Sequence, residues 1–104
     1  MANESTDLLL ATKIIADCND KEIDLMARRI KVLSHPLRLK IALMLTEGEL
    51  SVNEIFEKIG TSQPNISHHL LTLHDLNLLK SRKVHNRVFY SIANPRLIEL
   101  LGFI

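Results

Sequence analysis

Apolar residues recur at helical spacing along most of this chain and at strand spacing towards its end. Leu8, Leu9, Ile14 and Ile15 suggest a short amphipathic run. A polar patch at 17–22 (DCNDKE) follows. Ile23, Met26, Ile30 and Leu33 then return at intervals of three and four, which is one face of a helix. The pattern fits one helix or two across this region. Ser34-His35-Pro36 interrupts it, because Pro36 disfavours helical geometry at His35 and suits the first turn of a new helix. That helix carries Leu37, Ile41, Leu43, Met44 and Leu45, and Gly48 is a suitable stop. Glu49-Leu50 leaves room for a strand stub at most. Ser51-Val52-Asn53-Glu54 has the spacing of a capping box, in which the serine takes a backbone N–H and the glutamate reaches back. It opens a short helix with Val52, Ile55, Phe56 and Ile59, which Gly60 ends. Thr61 or Ser62 caps the next helix, and Pro64 is tolerated in its first turn. Ile66, Leu70, Leu73 and either Leu76 or Asn77 form its buried stripe.

The period then changes to two. Leu78, Lys80, Arg82 and Val84 alternate weakly with Leu79, Ser81 and Lys83. Val88, Tyr90 and Ile92 alternate more clearly with Arg87, Phe89 and Ser91. His85-Asn86 lies between the runs, and Asn86 accepts the positive φ of a tight hairpin turn. Asn94-Pro95 opens a last helix from Arg96 to about Ile104. The result is a mainly α fold with a small β-hairpin. Two helices joined by the tight turn IGTS and followed by a basic hairpin make a winged helix-turn-helix. The reading is a single domain over residues 1–104, with a helical region at 1–33, the helix-turn-helix at 51–76, the wing at 78–92 and a final helix at 94–104.

Composition agrees. A chain of 104 residues suits one domain, and one this small gains from dimerisation. With no Trp, one Tyr and three Phe, the core must be mostly aliphatic, and three Gly and three Pro do not suit a turn-rich all-β fold. The single cysteine, Cys18, excludes an internal disulfide and points to the cytosol. The start, MANESTDLLL, is unlike a signal peptide, and no stretch approaches the length of a membrane span. The net charge of +1 hides an asymmetry. Residues 61–96 hold five bases against one acid, with four histidines in addition. A basic segment in a nearly neutral chain suggests a local anionic partner rather than a generally sticky surface.

Residues 61–76, TSQPNISHHLLTLHDL, concentrate the candidate chemistry. A metal site fails on spacing. His68 and His69 are adjacent and point about 100° apart on a helix, and His74 lies five and six residues on, where helix neighbours are three or four apart. A catalytic site lacks a nucleophile–base pair and a glycine-rich phosphate loop. A DNA recognition helix fits. It needs one apolar side and short polar groups near its start, which enters the major groove. Gln63 and Asn65 can pair with adenine, Ser67 can donate or accept, and His68 can reach guanine N7 or a phosphate. Pro64 belongs to the same first turn. Arg82, Lys83, His85 and Arg87 on the hairpin would meet the backbone or an adjacent minor groove. His69 sits beside the buried stripe and reads as a core or packing histidine, and His74 as surface or turn packing.

LSHPLRLKIALML (33–45), GELSVNEI (48–55), TSQPNISHHLLTL (61–73) and LLKSRKVHNRVFYSI (78–92) together resemble the ArsR/SmtB family of prokaryotic winged-helix repressors. The resemblance runs from about residue 28 to 92. It implies a homodimer on double-stranded DNA, at a palindromic operator, that represses transcription until an inducer lowers its affinity. It also implies a dimer interface built by the first and last helices, here through Leu8, Ile14, Ile15, Leu97, Leu100 and Leu101. The apolar end of the chain agrees with this.

The chain departs from the family at its sensing sites. The thiophilic-metal cysteines of many members are absent from Leu50-Ser51-Val52-Asn53-Glu54. The carboxylate and histidine set of others is absent from Ser91-Ile92 and residues 96–104. Redox-sensing members use two cysteines, and this chain has Cys18 alone, in an acidic patch that should slow its attack. A cross-dimer thiol switch at Cys18 is the sharper reading of that residue and an inert thiol the plainer one. The wing turn is His85-Asn86 where glycine is usual. No inducer, metal or cofactor follows. The reading is a cytoplasmic DNA-binding regulator, a repressor, and not an enzyme. A winged-helix protein-interaction module is one alternative, opposed by the polar start of the recognition helix. An anti-repressor that displaces another DNA-bound protein is the other, and it stays open.

Overall fold

The computed structural model describes residues 19–60, 63–97 and 99. Leu8, Ile14, Ile15, Cys18, Leu100 and Leu101, and the expected caps Thr61 and Ser62, lie outside the described residues. Helix α1 spans Asp20–Leu33 and α2 spans Pro36–Leu45. Strand β1 is Leu50–Ser51, followed by α3 (Val52–Ile59), α4 (Gln63–Asp75), β2 (Leu79–Val84) and β3 (Arg87–Ile92).

Side chains start the helices where backbone donors would otherwise be unpaired. Asn19 caps α1, its Oδ1 taking the Glu22 N–H at 2.9 Å. His35 caps α2, with Nδ1 accepting from Leu37 N–H at 3.2 Å and Pro36 in the first turn. The capping box at α3 is formed: Ser51 Oγ accepts from Glu54 N–H at 3.1 Å, and Glu54 Oε1 from Ser51 N–H at 3.4 Å. Gly60 ends α3 at φ 74°, where a side chain would be strained. Helix α2 stops at Leu45, three residues before Gly48, with Thr46 as its cap. Helix α4 closes with Asn77 at φ 58° and a Leu78 N–H to Leu73 carbonyl bond of 3.0 Å. That is a Schellman-type end with asparagine in the glycine place. Asn77 is therefore an exposed cap and not part of the stripe.

Two sheet expectations change. The hairpin is part of a three-stranded antiparallel sheet, order β1-β3-β2, because Leu50 and Ser51 pair with Tyr90 and Phe89. At the wing turn the positive φ, 55°, falls on His85 and not on Asn86. A two-residue hairpin of the II′ kind needs it at that first position only.

The core is aliphatic. Ile41, Ile55, Ile66, Leu70 and Leu73 are each 0% exposed, with Leu45, Leu79, Tyr90 and Ile92 closing it from α2 and the sheet. Leu97, expected at a dimer interface, is buried in this core, which leaves it little surface for a partner. The apolar face of α1 behaves otherwise. Leu33 is buried, but Ile23 and Ile30 are 52% and 61% exposed and Met26 is 36% exposed. Arg29 ties this helix to the end of α4, its Nε donating to the Leu76 carbonyl at 2.9 Å. No helix among the described residues is long and apolar enough to cross a membrane.

Candidate nucleic-acid interface

Helix α4 is anchored by the stripe Ile66, Leu70 and Leu73. At about 100° per residue, His68 projects roughly opposite Ile66, and Asn65 stands about 60° to one side of it. Pro64, Asn65 and His68 are exposed, and Ser67 is half-buried on the flank. Gln63 opens the helix. The first two turns thus present short polar groups outward while the opposite side is closed. Thr72 Oγ1 donates back to the His68 carbonyl at 3.0 Å, which turns its hydroxyl along the helix.

The wing separates the expected cations by face. Arg82 lies opposite Phe89, and Ser51 lies opposite the same residue from β1. Side chains alternate along a strand, so Arg82, Arg87, Phe89 and Ser51 share the outer face. Lys83 pairs with Val88, on the face that carries Tyr90 and Ile92 towards the helices, yet beyond the core and exposed. His85 is exposed at the wing tip.

The two arginines do not stand free. Arg82 Nε and Nη2 donate to Glu49 Oε2 and Oε1 at 2.7 and 2.6 Å, and its guanidinium lies 5.0 Å from the centre of the Phe89 ring. That hydrogen bonding holds the Glu49 carboxyl below the usual carboxylate range, helped by the charges of Arg82 and Lys80. Arg87 approaches the same ring at 5.2 Å, donates to Ser51 Oγ at 3.3 Å and stands 3.6 Å from Glu54 Oε1. These contacts brace the wing against the start of α3. Both arginines must exchange or share a carboxylate to meet a phosphate, whereas Lys83 carries no such pairing among the described ion pairs.

His69 is 5% exposed, and its Nδ1 accepts from Arg38 Nε at 2.8 Å. Burial, followed by the nearby charges of Arg38, His35 and His68, pushes its pKa below the ordinary imidazole value. It is therefore the packing histidine that its place beside the stripe implied. His74 is half-buried, with Nε2 3.5 Å from Ser81 Oγ and its ring edge-on to Tyr90. Among the described residues no group of three His, Cys, Asp or Glu side chains could hold a metal ion. Two participants have no local signal in the sequence. Glu49 is 33 residues from Arg82, and Arg38 is 31 from His69.

Known proteins are similar to this chain in sequence and fold. The family model described as bacterial regulatory protein, arsR family, matches residues 35–81. The biofilm growth-associated repressor of Xylella fastidiosa is 32% identical over 102 residues, covering 98% of this chain and 89% of that protein. Among solved structures, HlyU from Vibrio cholerae superposes with a TM-score of 0.75 at 32% identity, over 82% of this chain and 96% of that one. A homodimeric winged helix-turn-helix DNA-binding domain from Mycobacterium bovis, described as a possible ArsR-family transcriptional regulator, gives 0.74 at 28% identity, over 85% of this chain and 84% of that one. With the helix-turn-helix, the wing and a relative matched over nearly the whole length, the chain belongs to the ArsR family of bacterial regulatory proteins.

Proposed function

We propose that this protein is a cytoplasmic, sequence-specific DNA-binding transcriptional regulator that acts as a homodimeric repressor on a palindromic operator. The observation that carries the reading is helix α4, whose apolar stripe is fully closed while Asn65 and His68 remain exposed on its first turns. Asn65, with Gln63, reads adenine edges; Ser67 and His68 meet base edges or flanking phosphates. Lys83 and His85 reach the backbone from the wing, and Arg82 and Arg87 join by exchanging carboxylate for phosphate.

The dimer is supported by α1, which leaves Ile23, Met26 and Ile30 substantially exposed on one side. An apolar stripe of that kind on a small domain calls for a cover. A twofold partner would set two copies of α4 into successive major grooves about 34–36 Å apart. The similar biofilm growth-associated repressor and the homodimeric M. bovis domain point the same way.

The test is fluorescence anisotropy on the duplex upstream of the protein's own gene and on a shuffled duplex, across a salt series. A preference of about a thousandfold, with a steep salt slope, is expected. Equal weak binding to both duplexes would refute sequence-specific regulation by the protein alone.

A further inference from the structure

The wing arginines and Arg38 meet different kinds of partner. Arg82 and Arg87 are each set against a carboxylate, Glu49 and Glu54. Arg38 donates instead to an imidazole, His69 Nδ1, at 2.8 Å. Among the described residues no carboxylate pairs with it within ion-pair distance. A guanidinium carries five N–H donors and a permanent charge. One donor is spent on His69, and the described residues supply the charge with no carboxylate ion pair.

The position of that charge follows from the ring contacts. The His69 ring lies 4.6 Å from the His35 ring and 5.7 Å from the His68 ring, centre to centre. His35 and His68 are both exposed. The half-buried Arg38 side chain therefore meets His69 where the start of α2 approaches the second turn of α4, one residue along the helix from exposed His68. DNA phosphates flank a helix that lies in the major groove.

We propose that Arg38 is a DNA-phosphate contact at the edge of the recognition helix, and that buried His69 is the positioning residue that orients it. The inference rests on the DNA-binding reading above. His69 accepts at Nδ1, so its one ring proton is on Nε2. A ring protonated on both nitrogens could not hold Arg38. Burial, and then the neighbouring Arg38 guanidinium, lower the His69 pKa and so favour the singly protonated ring. With Nε fixed, the Nη edge of the guanidinium is the edge left to meet two phosphate oxygens. Ordering the side chain before DNA arrives reduces the entropy lost on binding.

The experiment compares Arg38→Gln, Arg38→Lys, His69→Leu and His69→Gln with the parent in the same anisotropy salt series, each checked for folding by circular dichroism. Loss of one phosphate contact flattens the salt slope by about 0.9, so between about 50 and 200 mM salt the ratio of parent to R38Q affinity shrinks about 3.5-fold. That change is expected equally on the operator and the shuffled duplex. R38K should keep the slope but bind more weakly, because a point charge replaces the fork. H69L should weaken both duplexes, and H69Q, which restores an acceptor, should recover most of the loss. A parent that binds steeply with an R38Q variant of identical slope overturns the inference and leaves the DNA-binding reading intact. A parent that binds neither duplex removes both. If R38Q does not fold, R38K decides, and unchanged affinity in that variant is the refuting result.

Discussion

Replacing Ser51 with Ala should remove the joint between the helix-turn-helix and the wing. Ser51 is 2% exposed. Its hydroxyl takes the Glu54 N–H at 3.1 Å and a hydrogen bond from Arg87 Nη2 at 3.3 Å. The helix it caps, Val52–Ile59, has eight residues, too few to hold itself in water. A lost N-cap serine costs about 1 kcal/mol, within a range of about 0.5–2. The burial of Ser51 places the change in the upper half, because water replaces the missing oxygen poorly. The Arg87 contact adds little, since that side chain is exposed and its ion pair with Glu54 is long. The sum is about 1–2 kcal/mol, or roughly 4–8 °C in Tm per kcal/mol for a domain of this size. Thermal unfolding by circular dichroism at fixed protomer concentration reads it, because a dimer's Tm varies with concentration. Glu54→Gln separates the causes. Glutamine keeps the reciprocal cap but loses the charge facing Arg87, so its cost should stay below about 0.5 kcal/mol. A drop for E54Q as large as that for S51A would refute the argument, showing that the ion pair and not the cap holds α3.

Three further outcomes are expected. Glu49→Gln leaves Arg82 without the carboxylate it must exchange for phosphate, so operator and shuffled duplex should both bind more tightly; unchanged affinity for both would mean that Arg82 never reaches phosphate. Ile30→Glu places a charge on the exposed apolar side of α1, and sedimentation should show a shift from dimer to monomer with the fold retained; an unaltered dimer would move the interface elsewhere. The lowered pKa of His69, caused first by burial, makes stability depend on pH. Its folded pKa lies below the ordinary value of about 6.5, so the unfolded chain binds the proton more readily. The associated stability is present above about 6.5 and is lost as pH falls towards and through the folded pKa. Denaturant unfolding at about pH 7 and pH 5 should show a larger loss for the parent than for H69Q, and equal losses would place the pH dependence on other groups.

What was legible in the sequence was local. The Ser51–Glu54 box, the Gly60 stop and the Ile66, Leu70, Leu73 stripe are each set by spacings of four residues or fewer, and each is present. Strand β1 was not legible as more than a stub. Its two residues gain their hydrogen bonds from Phe89 and Tyr90, about forty positions later, and two residues carry no period of their own. The periodicity of Ile23, Met26 and Ile30 showed a face, but periodicity does not say whether a face is covered by its own chain or by another, and in the structure Ile23 and Ile30 stay more than half exposed. The wing turn shows the limit of residue preference. Asparagine tolerates positive φ better than histidine, yet the geometry of the hairpin put that burden on His85.

Charge shows why a site is harder to read than a fold. The surplus of residues 61–96 rested on five bases, and those included Arg82 and Arg87. The acids that meet these two, Glu49 and Glu54, stand outside the segment, and folding brings them to its outer face. Residues 31–60, with four bases and four acids, looked neutral, yet they supply Arg38, which folding delivers to α4 as a donor to the His69 imidazole. A segment's net charge predicts an anion site only as far as its counter-ions are local. In this chain they are remote, so among the described residues of the wing and recognition-helix edge the basic groups most available to a phosphate are those in no ion pair with a carboxylate: Lys83 and His85 on the wing, and Arg38 at the edge of α4.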